Sequence, residues 1–163
     1  MKEAVIALGT NLLDRERYLQ IAIEAIKKLP GTVVEAVSSI YETKPFQTLD
    51  PQGDYLNCCL KIKTELSPEM LLGCCLGIEA VMGRKRPFKN AARIIDIDLL
   101  LYEDVPRNTK HLTLPHPRIK ERAFVMVPLS DLYKNRVALG LDFNEALEVF
   151  LMQNEAKEDI AEI

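Results

Sequence analysis

The chain has 163 residues, of which 48% are hydrophobic and 28% are charged, a composition typical of one globular domain that excludes a disordered chain. The formal net charge of −3 argues against general affinity for nucleic acid or for an anionic membrane surface. No apolar run is long enough to span a bilayer. We therefore expect one domain over residues 1–163, located in the cytoplasm, with no nucleic-acid or membrane partner.

The first part of the chain predicts a strand, a helix and a second strand. The apolar run at residues 4–8 is typical of a strand and ends at the turn signal Gly9-Thr10-Asn11. Asp14 is a suitable N-cap for a helix that Pro30-Gly31 ends. The β-branched residues within 32–43 indicate the second strand. The apolar stripe expected to be buried by the helix is Tyr18, Ile21, Ala22, Ala25 and Leu29.

The remaining elements follow two irregular segments. A proline-containing loop over residues 44–54 leads to a third strand at residues 55–64. Ser67-Pro68-Glu69 is typical of a helix start, and this helix extends to Gly83. A basic loop at residues 84–92 precedes a strand at residues 94–102. Two helical stretches are expected at residues 125–133 and 144–153, before an acidic, frayed tail at residues 154–163.

This order of elements predicts an α+β fold. Strand, helix, strand, strand, helix, strand is the plan of a ferredoxin-like βαββαβ antiparallel sheet, here with both helices on one face and a C-terminal extension. The other face would then be open for a ligand. Because side chains alternate along a strand, Tyr55, Asn57 and Cys59 would lie on that open face.

Two aspartates, Asp96 and Asp98, interrupt the last of these strands. Alternation places both carboxylates on one side, about 7 Å apart, where Mg²⁺ ions can bridge them if phosphates supply further oxygens. Lys89 and Arg93 precede the pair and suit phosphate. A solvated strand face is the alternative. Because aspartate is depleted in strands, the pattern favours a metal–phosphate site.

The four cysteines occur as two adjacent pairs, Cys58-Cys59 and Cys74-Cys75. Neighbouring side chains diverge in a strand or a helix, so four thiols are not expected to converge on one metal ion. We expect them to be small buried positions in a reducing compartment.

Five segments carry motifs in a fixed order with compatible spacing. They are Gly9-Thr10-Asn11, Tyr41-Glu42-Thr43-Lys44-Pro45, Asp54-Tyr55-Leu56-Asn57, the run from Lys89 through Arg93 and Asp96 to Leu100, and Leu114-Pro115-His116-Pro117 with Arg122-Ala123-Phe124. Together they resemble the signature of the 6-hydroxymethyl-7,8-dihydropterin pyrophosphokinase family of folate biosynthesis. The resemblance extends from residue 4 to residue 129.

The resemblance implies a diphosphotransferase that moves the diphosphoryl group of ATP to the hydroxymethyl group of the pterin and releases AMP. Asp96 and Asp98 would hold two Mg²⁺ ions that neutralise charge on the transferring phosphates. Arg84 and Arg93, in a mobile loop, would hold the phosphates through their guanidinium groups. These four are the expected catalytic residues. The positions that match the nucleotide site of the family are Glu79, Arg84, Arg93, Leu99, Thr113, His116 and Arg122.

The resemblance also implies a pterin pocket. Tyr55 and Phe124 match an aromatic pair that stacks on the flat pterin ring, and the amide of Asn57 offers a donor and an acceptor to the edge of the ring. The alternatives are ordinary core aromatics at Tyr55 and Phe124 and a structural turn histidine at His116. The positions that match the pterin site are Thr43, Lys44, Pro45, Phe46, Tyr55, Asn57 and Phe124.

Departures from the family pattern leave rival functions to consider. The chain contains no tryptophan, whereas some members carry one in the mobile loop, and Leu76 stands where some members have a glutamine. Metal-dependent glycosyltransferases also use Asp-x-Asp but need a parallel nucleotide-binding sheet. A ferredoxin-like nucleotide-binding or regulatory module without the activity is the other alternative. We expect a monomer whose partners are ATP and the pterin.

Overall fold

The computed structural model describes residues 1–12, 14–44, 54–83, 94–153 and 160–163. The strands are β1 (Lys2–Thr10), β2 (Thr32–Val37), β3 (Tyr41–Thr43), β4 (Tyr55–Thr64), β5 (Asp96–Tyr102), β6 (Arg107–Asn108), β7 (Thr113–Leu114), β8 (Val137–Ala138), β9 (Leu141–Asp142) and β10 (Ile160–Glu162). The helices are α1 (Arg15–Lys27), α2 (Pro68–Val81), α3 (Ala123–Leu132) and α4 (Asn144–Met152), with a 3₁₀ helix at Ile119–Glu121. Within these ranges, none of the helices has the length and apolar character needed to cross a bilayer.

An antiparallel sheet forms the centre of the described structure, and this part of the predicted α+β fold is confirmed. Its strands lie in the order β10-β3-β4-β1-β5, and β2 also pairs with β4. All of these pairings are antiparallel, so the described strands do not form the parallel sheet of a glycosyltransferase. β1 lies in the middle. Gly9 is opposite Asn57 on one side and Asp96 on the other.

The strand predicted at residues 32–43 is divided into β2 and β3 by three residues that belong to neither. Ser38 N donates a hydrogen bond to Cys59 O at 2.9 Å, and Ser38 Oγ accepts one from Cys59 N at 2.8 Å. A register shift between Val34 and Ala36 adds a bulge. The Ser38 hydroxyl thus supplies an acceptor where the bent backbone does not. A pattern of β-branched residues carries no signal for such a break.

α1 and α2 cover one face of the sheet. Asp14 caps α1 by accepting a hydrogen bond from Arg17 N, and Ser67 caps α2 by accepting one from Met70 N at 3.2 Å. The predicted stripe of α1 is wrong in its phase, because Ile21 is 40% exposed. Apolar side chains of α1 form two stripes about 100° apart around the helix. The stripe that packs on the sheet contains three branched aliphatic side chains, Leu19, Ile23 and Ile26. The residues that α1 buries are Leu19, Ala22, Ile23 and Ile26.

The second face of the sheet is not left open, contrary to the expectation. α3 and α4 pack against it and form a second core with Val5, Cys59 and Leu101 of the sheet. The C-terminal extension therefore removes apolar surface from water, while Asp96 and Asp98 on this face stay half-exposed. The buried residues that the extension contributes include Val125, Met126, Leu129, Phe143 and Leu147.

The tail expected to be frayed at residues 154–163 ends in a strand. β10 pairs with β3, with Ile160 opposite Thr43 and Glu162 opposite Tyr41. Acid-rich tails are usually solvated, but here the unpaired edge of β3 supplies hydrogen-bonding partners that composition does not reveal. Residues 154–159 lie outside the described ranges.

The four cysteines are free thiols. Cys58 lies in the core beneath α1 and α2, whereas Cys59 lies in the core beneath α3. Burial raises the pKa of the Cys58 thiol to about 12, so this thiol stays protonated at neutral pH.

Gly9 leaves room for the side chain of Asn57 to lie over β1. A Cβ atom at Gly9 would lie 2.9 Å from Asn57 Oδ1, which is closer than ordinary contact. The amide is also held on its other side, because Asn57 Nδ2 donates a hydrogen bond to Thr43 Oγ1 at 2.7 Å and both residues are buried. Gly9, Asn57 and Thr43 therefore form a packed row across β1, β4 and β3.

We expect Gly9→Ala to lower the free energy of unfolding by about 1–2 kcal/mol, because the new methyl group displaces Asn57 and breaks its hydrogen bond to Thr43. Gly73→Ala is the matched control, since no atom lies within 4 Å of a Cβ at that helical position. There alanine should stabilise the chain by about 0.5–1 kcal/mol. Urea unfolding followed by circular dichroism measures both effects. Stabilisation by both substitutions would show that Asn57 moves aside freely.

Candidate active site

A cleft of about 420 Å³ is formed by α2, β5 and the segment at residues 110–117, a size suited to a small-molecule ligand. Four residues expected around the nucleotide lie on its wall, namely Glu79, Leu99, Thr113 and His116, and Asp98 lies there too. The other lining residues are Leu72, Leu76, Ile97, Lys110, His111, Leu112 and Pro117. Residues that the sequence disperses over three elements thus meet at one cleft.

Glu79 has a structural partner as well as a place on the cleft wall. It is 6% exposed, and its Oε2 accepts a hydrogen bond from Ile97 N at 2.8 Å. β5 lies at the edge of the sheet, where backbone amides need partners other than a strand. Glu79 therefore ties α2 to the strand that carries Asp96 and Asp98.

The hairpin of β6 and β7 contributes Lys110, His111, Leu112 and Thr113 to the lining of the cleft. Arg107 at its start pairs with Glu69 in the first turn of α2, and Arg107 Nη2 lies 3.4 Å from Glu69 Oε2. Hydrogen bonding to Arg107 lowers the pKa of the Glu69 carboxyl.

Sequence reasoning missed Lys110 and His111 at the tip of this hairpin, because strands of two residues show no periodicity. The sequence signal that could have placed them at the cleft is their position, since these two basic residues come shortly before Thr113.

His116 is held in its neutral form. Its backbone N donates a hydrogen bond to Leu100 O at 2.8 Å, and its Nδ1 accepts one from Arg118 N at 3.2 Å. Burial, together with the charges of Arg122 and Arg118, lowers the pKa of His116 to about 4. With Nδ1 acting as an acceptor, the ring proton is placed on Nε2.

The acidic pair lies next to a partly buried cation. Arg122 Nη1 is 4.0 Å from Asp98 Oδ2, and the exposed fractions of the two side chains are 21% and 45%. Arg122 Nε is buried and has no hydrogen-bond partner among the described residues. The Arg122 guanidinium also lies over the Phe124 ring, 5.7 Å from its centre. Asp96 and Asp98, Arg122 and Phe124 are therefore neighbours in the fold.

The residues expected to hold a pterin come from two paired strands and α3. Thr43 is opposite Tyr55 in the β3–β4 ladder, and Asn57 joins them through its hydrogen bond to Thr43. Tyr55 and Phe124 are both half-buried, and Lys44 is exposed at the end of β3. Neither ring is fully enclosed in a core, which leaves part of each surface accessible.

Four of the expected site residues lie outside the described ranges: Arg84 and Arg93 of the basic loop, and Pro45 and Phe46 of the loop after β3. Their roles stay predictions. Within the described ranges, no group of three His, Cys, Asp or Glu residues is placed to hold a metal ion. Asp96 and Asp98, both half-exposed on β5, could supply two oxygen ligands to such an ion.

Known proteins that are similar to this chain identify its family. The family model described as 7,8-dihydro-6-hydroxymethylpterin-pyrophosphokinase matches residues 5–134. The 2-amino-4-hydroxy-6-hydroxymethyldihydropteridine pyrophosphokinase of Methylorubrum extorquens is 42% identical over 147 residues, which cover 90% of this chain and 92% of that protein. The Bacillus subtilis protein of the same name is 42% identical over 129 residues, which cover 79% of this chain and 77% of that protein.

Solved structures show the same fold at lower identity. The HPPK-DHPS protein of Plasmodium falciparum, solved as the wild type with SDX-DHP, superimposes with a TM-score of 0.72 at 17% identity over all of this chain and 47% of that one. A further HPPK-DHPS structure, in complex with substrates, gives a TM-score of 0.71 at 13% identity over 99% of this chain and 46% of that one. The chain spans about half the length of these structures.

The family match covers most of the chain, and the two bacterial relatives match over most of their own length. The predicted resemblance is therefore confirmed. The chain belongs to the 7,8-dihydro-6-hydroxymethylpterin-pyrophosphokinase family, and it is a diphosphotransferase.

Proposed function

We propose that this chain transfers the diphosphoryl group of ATP to the hydroxymethyl group of 6-hydroxymethyl-7,8-dihydropterin in a Mg²⁺-dependent reaction that releases AMP. One observation carries the proposal: Asp98 lines the cleft and also lies 4.0 Å from Arg122. On the other side of the acidic strand, Asp96 is opposite Gly9, over which Asn57 packs. The acidic pair thus lies between a nucleotide-sized cleft and the residues suited to a pterin.

The ligands available at this place fit magnesium. Mg²⁺ binds oxygen ligands and is commonly held by one or two carboxylates together with substrate phosphates. Asp96 and Asp98 provide two half-exposed carboxylates on one strand face, which suits ions that arrive with ATP. When bound, such ions would neutralise the phosphate charge and align the attacking oxygen. The two aspartates would orient them, and β5 keeps both carboxylates in fixed positions.

The cationic residues would act on the phosphates directly. Arg122 has a buried Nε with no protein partner among the described residues, and a phosphate oxygen would satisfy this group. A planar guanidinium suits phosphate because it donates two parallel hydrogen bonds. We propose that Arg84 and Arg93 from the basic loop complete this set.

The cleft would hold the nucleoside part of ATP. Leu72, Ile97 and Leu99 give it apolar walls, while Thr113 and neutral His116 add hydrogen-bonding groups. Because Nδ1 of His116 already accepts a backbone hydrogen bond, its Nε2–H is the group free to donate to ATP. The carboxylate of Glu79 supports the wall through its bond to Ile97 N.

The pterin would lie against Tyr55 and Phe124. Flat rings stack well on aromatic side chains, and Asn57 offers an amide already oriented by Thr43. A buried amide left without its partner would penalise an analogue that lacks the matching edge groups. We propose that Lys44, Pro45 and Phe46 also bind the pterin.

We further propose that residues 1–163 act as one domain with a ferredoxin-like core, as a monomer in the cytoplasm. The strand order β5-β1-β4, with β2 and β3 beside β4, supports that core. The four free cysteines suit a reducing compartment.

A coupled assay for AMP tests the proposed reaction. We expect AMP to form only when ATP, Mg²⁺ and 6-hydroxymethyl-7,8-dihydropterin are all present, because the metal and both substrates must meet at the acidic pair. Omission of each component in turn is the control. Formation of ADP, or of AMP without the pterin, would contradict the proposal.

Asp96→Asn and Asp98→Asn should each reduce kcat by at least about 100-fold, because an amide carries no charge to hold a metal ion. The melting temperature should stay within a few degrees, since both side chains are half-exposed. Asp104→Asn is the matched control. Asp104 is 76% exposed and has a positive φ of 57° that asparagine tolerates. Turnover close to wild type in either site variant would refute the metal assignment.

His116 should make stability depend on pH between about pH 6.5 and pH 4. Its pKa in the fold is about 4, below that of the unfolded chain, so acid favours unfolding across this window. Urea unfolding measures how far the free energy of unfolding falls from pH 7 to pH 4.5. This fall should be about 1 kcal/mol smaller in His116→Asn than in wild type. His111→Asn, which removes the other histidine of the chain, is the control. The same pH dependence in wild type and His116→Asn would contradict the assignment.

A further inference from the structure

The side chain of Arg15 joins parts of the chain that are distant in sequence, next to the proposed pterin site. Arg15 Nη1 lies 2.7 Å from Glu42 Oε2 on β3 and donates a hydrogen bond to Asp54 O at 2.9 Å. Arg15 is itself the first residue of α1, directly after Asp14, the N-cap. One guanidinium nitrogen thus contacts both β3 and the residue that directly precedes β4.

The position of these contacts relates Arg15 to the expected ligand-binding residues. Thr43 is opposite Tyr55 at the end of the β3–β4 ladder, where β3 stops and β4 begins. Glu42 directly precedes Thr43, and Asp54 directly precedes Tyr55. Arg15 therefore bridges the two residues that directly precede Thr43 and Tyr55.

The chemistry of the contacts suits a positioning role. Hydrogen bonds that involve a charged group are about twice as strong as neutral ones, and the planar guanidinium fixes the direction of each. The Arg15 and Glu42 side chains are 31% and 38% exposed, so part of the attraction is screened by water. No residue of α1 is among those that line the cleft proposed for ATP, so the contacts of Arg15 lie away from that cleft.

We propose that Arg15 is a positioning residue for the pterin substrate, holding β3 and β4 at the separation at which Thr43 and Tyr55 receive the ring. The inference rests on the proposed function and adds a residue outside the expected binding set. Arg15 need not touch the pterin, because it acts through the two strands.

Steady-state kinetics with separate titrations of the two substrates test this role. Arg15→Ala should raise KM for 6-hydroxymethyl-7,8-dihydropterin about five- to tenfold, whereas KM for ATP should change by less than about twofold. Arg15→Lys, which keeps the charge and a donor, should recover most of the loss. Arg17→Ala is the matched control, because it removes the same charge at an exposed position on the same turn of α1. Melting temperatures of all variants are measured alongside.

The outcomes separate this inference from the proposed function. A wild-type chain that makes no AMP from ATP and the pterin would refute the proposed function itself. An active wild type with Arg15→Ala indistinguishable from Arg17→Ala, or with both KM values raised equally, would overturn the positioning role alone. If Arg15→Ala does not fold, Glu42→Gln removes the charge pair but leaves the bond to Asp54 O. A rise of about two- to threefold in the pterin KM alone would then support the role, and no change would overturn it.

Discussion

The placement of β1 between β4 and β5 is the constraint on which the rest of the structure depends. Both ladders are antiparallel and bring Asn57, Gly9 and Asp96 into one row. If β5 slipped by one residue, Asp96 and Asp98 would turn towards the core beneath α1 and α2, and Ile97 and Leu99 would become exposed. Burying the two aliphatic chains is worth about 1.5–3 kcal/mol each, and burying an unpaired carboxylate is strongly unfavourable. Ile97 and Leu99, which alternate with the two acids, thus keep both carboxylates at the surface.

The charged groups around this strand make different kinds of contact. Glu79 is buried and uses its carboxylate to bind Ile97 N, which secures an exposed sheet edge. Asp98 and Arg122 are farther apart than a direct ion pair with hydrogen bonds requires, at 4.0 Å. Their opposite charges attract across this gap.

Local sequence signals predicted the elements well where a single helix or strand determines them. The caps at Asp14 and Ser67 define the starts of α1 and α2, and the apolar patterns of α3 and α4 place these helices within a few residues. The predicted phase of α1 was wrong although the sequence carried a signal for the right one, because Leu19, Ala22, Ile23 and Ile26 recur at helical spacing and include three branched aliphatic side chains. The break at Ser38 depends on a hydrogen bond to Cys59, which is distant in sequence.

The candidate site also divides into residues that local sequence identifies and residues that become neighbours only in the fold. The alternation of Asp96 and Asp98 is local, so simple strand geometry identified the acidic pair. Glu79, Thr113 and His116 came from motif resemblance, because nothing in their immediate neighbours shows that α2 and the β6–β7 hairpin face one cleft. Lys110 and His111 were missed for this reason. Arg15 belongs to the same class, since its partners Glu42 and Asp54 become neighbours only when β3 and β4 pair.

The pairing of β10 with β3 has a consequence for the order of folding. Thr43 and Ile160 are 117 positions apart in the sequence, so closing the loop between these strands carries a large entropic penalty that few local contacts offset. Pairings of this kind form late and slow the approach to the native state. Until the late-synthesised β10 docks, the outer edge of β3 is unpaired and open to contacts with other chains. The part of the sheet that carries Thr43 is thus the last to be shielded as the chain matures.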